Sequence, residues 1–139
     1  MKLSKNMKKL LLDELRFVID NMNKSENAIG KMYFFSAAYG ATNRIMNIEY
    51  DSELVFIHNV LSAAHSTINQ RIVALASGAE LAVGIPENIF DKLVEALEEI
   101  IAFVQKDEST YTALEKISNV AYSTTGNGYY LYLRGKLLV

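Results

Sequence analysis

Apolar residues recur along most of this chain at steps of three and four, the spacing that places side chains on one face of an α-helix. Between residues 2 and 22, Leu3, Met7, Leu10, Leu11, Leu15, Val18 and Ile19 form such a stripe, with lysines and acids between them. This predicts a first helix. Asn23 is placed to cap a second, with Glu26 three positions on in the capping-box place, and Ala28, Met32, Phe35, Ala38 and Ile45 carry that helix to about residue 47. Gly40 falls inside it, where glycine costs about 1 kcal/mol relative to alanine, so close approach of a neighbouring helix is the expected reason for its use.

The clearest pattern follows Asp51 and Ser52, either of which can cap a third helix. Leu54, Ile57, Leu61, Ala64, Ile68, Ile72 and Leu75 alternate steps of three and four there, a seam that favours helix packing at about +20°. Gly78 should end it. Pro86 suits the first turn of a fourth helix, with Glu87 and Asp91 near its positive end and Ile89, Leu93, Ala96, Leu97, Ile100, Ile101 and Val104 as its stripe. Ser109 or Thr110 can begin a fifth, carrying Leu114, Ile117, Val120 and Ala121 to a turn over residues 123–128. Residues 129–139 read as a short apolar helix rather than a strand, because a lone strand leaves backbone groups unpaired.

These elements predict an all-α fold: an antiparallel up-and-down helix bundle of four principal helices plus one or two short C-terminal helices, in a single domain over residues 1–139. A chain of 139 residues, half of them apolar and 22% charged, can bury roughly two thirds of its unfolded surface without staples. No repeat or low-complexity segment suggests a second domain.

Charge and composition narrow the partners. A net charge of −2 provides no positive field to attract phosphate backbones, which argues against nucleic acid. Lys2, Lys5, Lys8 and Lys9 contrast with the acids Glu87, Asp91, Glu95, Glu98 and Glu99, an asymmetry that ordinarily serves solvation. Cysteine is absent, which removes disulfides, thiolate metal sites and cysteine nucleophiles, and points to a reducing, cytoplasmic location. The lysine-rich start meets Asp13, Glu14 and Arg16 too early for a signal peptide, and no window nears the roughly 18 apolar residues of a spanning helix, so membrane insertion is not expected.

Candidate chemistry is sparse. His58 and His65, the two histidines, stand seven residues apart, about 10 Å along one helical face and too far apart to chelate one ion. No HExxH or ExxH string occurs, so neither a metal site nor a cofactor is predicted. The structural reading is a pair of partly buried imidazoles satisfied by neighbouring polar groups. The functional one makes either a general base or a pH-sensitive contact, with Glu49, Asp51 or Glu53 to orient it. Arg44 is the best anion-binding candidate, and with His58, His65 and Tyr33 or Tyr39 it would line a small-molecule pocket between the second and third helices.

Strings such as GxSxG are absent, and residues 123–128 lack the phosphate-loop lysine. Five of the eight tyrosines lie in the last 29 residues, beside Arg134 and Lys136. Together with the seam of the third helix they favour a non-catalytic interaction or assembly domain, a homodimer, over the ligand pocket.

Overall fold

The periodic stripes become four helices: α1 (Lys5–Lys24), α2 (Ala28–Met46), α3 (Ser52–Ala76) and α4 (Ile89–Lys106). The computed structural model describes residues 1–79 and 88–106, and among these there is no strand, so the fold is an all-α helical bundle. Pro86, the expected fifth helix, the turn at 123–128 and the segment 129–139 lie outside the described residues.

Each helix end has a local cause. Ser4 caps α1, its side-chain oxygen accepting from the Met7 amide at 3.3 Å. The helix thus starts three residues later than its apolar stripe suggests, although Met1 and Leu3 still reach the core at 5% exposure each. Asn27, not Asn23, caps α2 by accepting from the Gly30 amide at 2.7 Å. The first helix runs on to Lys24, which keeps Met22 in the core as the last member of the series Leu11, Leu15, Val18, Met22. Asp51 caps α3, its Oδ1 accepting from the amides of Glu53 at 2.9 Å and Leu54 at 3.0 Å. Gly78 ends α3 at φ +84°, where the Ala79 amide turns back to the Ala74 carbonyl and that of Gly78 to Leu75, a Schellman closure.

Packing follows from the stripes. α1 lies against both α2 and α4, and α2 lies against α3. The core collects Leu11, Leu15 and Val18 of α1, Met32, Phe35 and Ile45 of α2, Leu54, Ile57, Leu61 and Ile68 of α3, and Leu93, Leu97 and Ile100 of α4. Burying each large member stabilises the fold by about 1.5–3 kcal/mol. At one end Lys31 ties three helices together: its Nζ donates to the Met22 carbonyl of α1 at 2.7 Å and sits 5.9 Å from the ring centre of Phe90 on α4.

Two further expectations are corrected. Leu10, assigned to the core stripe, is 42% exposed, because only one of the adjacent Leu10 and Leu11 can face inward and Leu11 does. Gly40 is not wedged against a neighbouring helix: a Cβ added there would meet only Arg44 Nη1, at an ordinary 3.7 Å.

Candidate functional site

Phe35, Tyr39 and Thr42 follow one another at steps of four and three and share one face of α2, as His58 and His65 share one face of α3. Where these faces meet, Tyr39 joins the two histidines. Its ring centre lies 6.3 Å from that of His58, edge to face, and 5.0 Å from that of His65. The opposite neighbour of His65 is Phe35, stacked at 6.4 Å with an interplanar angle of 9°.

Thr42, fully buried, organises His58. Its hydroxyl donates to the Tyr39 carbonyl at 2.8 Å, leaving its oxygen to accept from His58 Nδ1 at 2.9 Å. The same Nδ1 lies 3.2 Å from the Tyr39 carbonyl, which can only accept. Both contacts require a proton on Nδ1, so the neutral ring keeps its lone pair on Nε2. A backbone carbonyl that fixes an imidazole in this way gives it a defined basic nitrogen. His65 behaves differently: burial among aromatic rings disfavours its charged form and lowers its pKa below 6.5.

The predicted trio therefore divides. His58 and His65 are brought together through Tyr39, whereas Arg44 turns to α1 and pairs with Glu14 at 3.2 Å. Tyr33, the other tyrosine considered for a pocket, is 73% exposed and packs edge to face on Phe34 at 5.3 Å. Among the described residues, no group of three or more His, Asp or Glu is placed to hold a metal ion. One buried side-chain nitrogen among them, Arg71 Nη1 on α3, has no hydrogen-bond partner.

A second feature lies on the outer face of α1 and α2. Phe34 meets Phe17 edge to face at 6.3 Å, which extends the Tyr33–Phe34 contact into a series of three rings. Phe17 is 54% exposed, and Leu10, one heptad earlier, stands on the same side of α1. Leu10, Asp13, Glu14 and Phe17 line a shallow groove of about 290 Å³. Ionic contacts edge it: Lys9 to Asp13 at 2.8 Å, Arg16 to Asp13 at 4.0 Å, and Arg44 to Glu14. The Lys9 hydrogen bond holds the Asp13 carboxyl below its usual pKa.

Phe17 and Phe34 were absent from the predicted stripes, and that is the sequence signal for this face: apolar side chains lying off the core period. No helix among the described residues is long and apolar enough to cross a membrane. No protein-family model matches the chain, and comparisons with curated proteins and with solved structures find no similar protein.

Proposed function

We propose that this chain is a non-catalytic interaction or assembly domain that forms a homodimer through the outer face of α1 and α2. The observation that carries this reading is the ring series Tyr33, Phe34 and Phe17, in which the exposed Tyr33 and Phe17 flank a partly buried Phe34, continued by the exposed Leu10. Aromatic side chains concentrate in the centres of protein interfaces, and contiguous exposed apolar patches are rare on monomers without a role. A second copy of the same chain is the partner this face fits. A two-fold interface must be complementary to itself, and here Lys9, Arg16 and Arg44 alternate with Asp13 and Glu14 around the rings. Each carboxylate already holds a cation, so two copies meet without bare like charges.

The same proposal takes the bundle as antiparallel and up-and-down, one domain over residues 1–139, with short helices from residue 109 onward and a cytoplasmic setting. The antiparallel reading is supported by two contacts between α1 and α2. Lys31, early in α2, reaches Met22, late in α1, while Arg44, late in α2, reaches back to Glu14.

Native mass spectrometry of the purified chain tests the proposal, with Phe17→Ser/Tyr33→Ser as the comparison. The expected result is a dimer that the double substitution converts to a monomer of unchanged helical circular dichroism. A ligand-free monomer at high concentration overturns it.

A second reading, a small-ligand binder or enzyme with a pocket between α2 and α3 using Arg44, His58 and His65, is favoured by one observation: the fixed basic nitrogen of His58 beside Tyr39. Extra mass on each subunit in the same spectrum, lost in His58→Ala, would support this reading over assembly.

A further inference from the structure

Gly40 is a cost to α2 that its own chain does not explain. It lies in the helix interior, where only proline is less favourable than glycine, and nothing crowds it: an added Cβ would meet Arg44 Nη1 at 3.7 Å and no other atom within 4 Å. Among the described glycines the positive φ belongs to Gly78, so no left-handed turn calls for glycine at position 40. The neighbours that share its face are large and open to solvent. Ile29 and Tyr33, 61% and 73% exposed, lie within about 40° of Gly40 around the helix, and Tyr33 stands two turns, or about 10 Å, before it.

A knob and a hole seven residues apart on one exposed helix face are self-complementary for two antiparallel copies of that helix. With a two-fold axis between residues 36 and 37, each Tyr33 meets the partner's Gly40 and each Ile29 meets the aliphatic stem of the partner's Arg44. Ser36 brings no unsatisfied donor to the axis, because its hydroxyl already donates to the Tyr33 carbonyl at 2.6 Å. Charge agrees with the antiparallel direction: the exposed Glu26, just before α2, comes beside the partner's Arg44, which is 63% exposed while it pairs with Glu14. Arg44 also joins Gly40 to the groove on α1, with Nη1 beside the glycine and Nη2 on Glu14 of the groove wall. At about 290 Å³, that groove has room for a phenol ring.

We propose that two copies of the chain pair α2 against α2, antiparallel, with each Tyr33 ring seated on the partner's Gly40 and its phenol edge in the groove between Leu10 and Phe17. This register rests on the homodimer reading above and adds to it the contact that sets how the copies meet. Glycine is used at position 40 because any side chain there would hold the ring away from the helix backbone, and its cost to the isolated helix is offset in the dimer. Tyrosine suits the knob, since its ring fills apolar space while its hydroxyl reaches the polar wall of the groove, where Asp13 and Glu14 offer acceptors.

The test uses two variants of the full chain: Gly40→Tyr, which fills the hole, and Tyr33→Ala, which removes the knob. Sedimentation velocity measures each alone and as an equimolar mixture, with circular dichroism to confirm an unchanged helical fold. Each variant alone is expected to dimerise roughly thirtyfold more weakly than the parent, because the contact occurs twice in every interface. The mixture is expected to form a heterodimer within about threefold of the parent affinity, since the ring added at position 40 of one copy faces the space opened at position 33 of the other. Gly40→Ala separates folding from assembly: it should raise the thermal midpoint of the separated subunits and still weaken the dimer about tenfold. A parent chain that stays monomeric overturns the dimer reading and this register together. A parent dimer whose affinity survives both substitutions of Gly40, or a mixture with no preference for the heterodimer, overturns the register alone and leaves the dimer standing.

Discussion

Thr42 Oγ1 stands 2.9 Å from His58 Nδ1, and because the threonine proton is committed to the Tyr39 carbonyl, this contact decides which nitrogen of the imidazole is basic. Nitrogen-15 NMR of the neutral histidine should report the Nδ1–H tautomer. Thr42→Val should cost about 1–3 kcal/mol, through loss of a hydrogen bond at a fully buried position, and should shift the His58 tautomer balance only partly toward Nε2–H, because the Tyr39 carbonyl still accepts from Nδ1. A predominantly Nε2–H ring in the unmodified chain would contradict the assignment.

His65 sets a different pH response. Burial holds its pKa below the ordinary 6.5, so the unfolded chain takes up a proton more readily than the folded one. Stability should be at its full value above about pH 6.5, fall as the pH drops below it, and level off once the folded ring is itself protonated. Urea titrations from pH 8 to pH 5 measure this step. His65→Gln should remove it, whereas an unchanged step would show that another group is responsible.

Asp51 responds at lower pH. Burial pushes its carboxyl upward, but hydrogen bonds from the amides of Lys2, Leu54 and Glu53, with the terminal ammonium nearby, outweigh that and hold it below 3.8. Its contribution is present above the ordinary pKa and is lost as the pH falls through the lower folded-state value. Asp51→Ala should destabilise the chain by about 2 kcal/mol at pH 7 through the lost cap, and the gap between variant and parent should narrow in acid-unfolding curves below about pH 4.

Gly40→Ala should be stabilising by roughly 0.5–1 kcal/mol, because the position is helical and an added Cβ finds only the end of the Arg44 side chain at 3.7 Å. A loss of stability would mean that the α2 backbone needs glycine for a reason other than space.

Arg71→Met should be neutral or stabilising by about 1 kcal/mol, since it replaces a guanidinium whose buried Nη1 lacks an acceptor with an apolar chain of similar length. Chemical denaturation measures it, and a clear loss would mean that the guanidinium stabilises the fold despite its unpartnered nitrogen.

The parts legible in the sequence were those governed by local periodicity. The seam is repetitive enough that one face of α3 is buried from Leu54 to Ile72, although Leu75, its last expected member, is 47% exposed, and Gly78 closes the helix as expected. Where two neighbours competed, as with Leu10 and Leu11, the period could not choose, because the rotation of α1 is set by α2 and α4. Leu3 matched the helical stripe and is buried, yet its backbone is not helical: a stripe reports burial more reliably than conformation. The meeting of Tyr39 with both histidines depends on the register of α2 against α3, which is fixed by packing across the interface. Pairing of the second and third helices places Arg44 near the histidines, but one helical turn is enough to send a long side chain to a different neighbour, here Glu14.

Among the described residues α4 packs on the first helix, the one farthest from it along the chain. During synthesis at about 5–20 residues per second, the roughly 30 residues from the end of α3 to the end of α4 take on the order of seconds, whereas helices form in about a microsecond. The flank of α1 that α4 will cover must therefore wait, apolar and open, while the rest of the chain emerges, which makes this interval the period in which a growing chain is most exposed to capture by a chaperone or by another nascent copy.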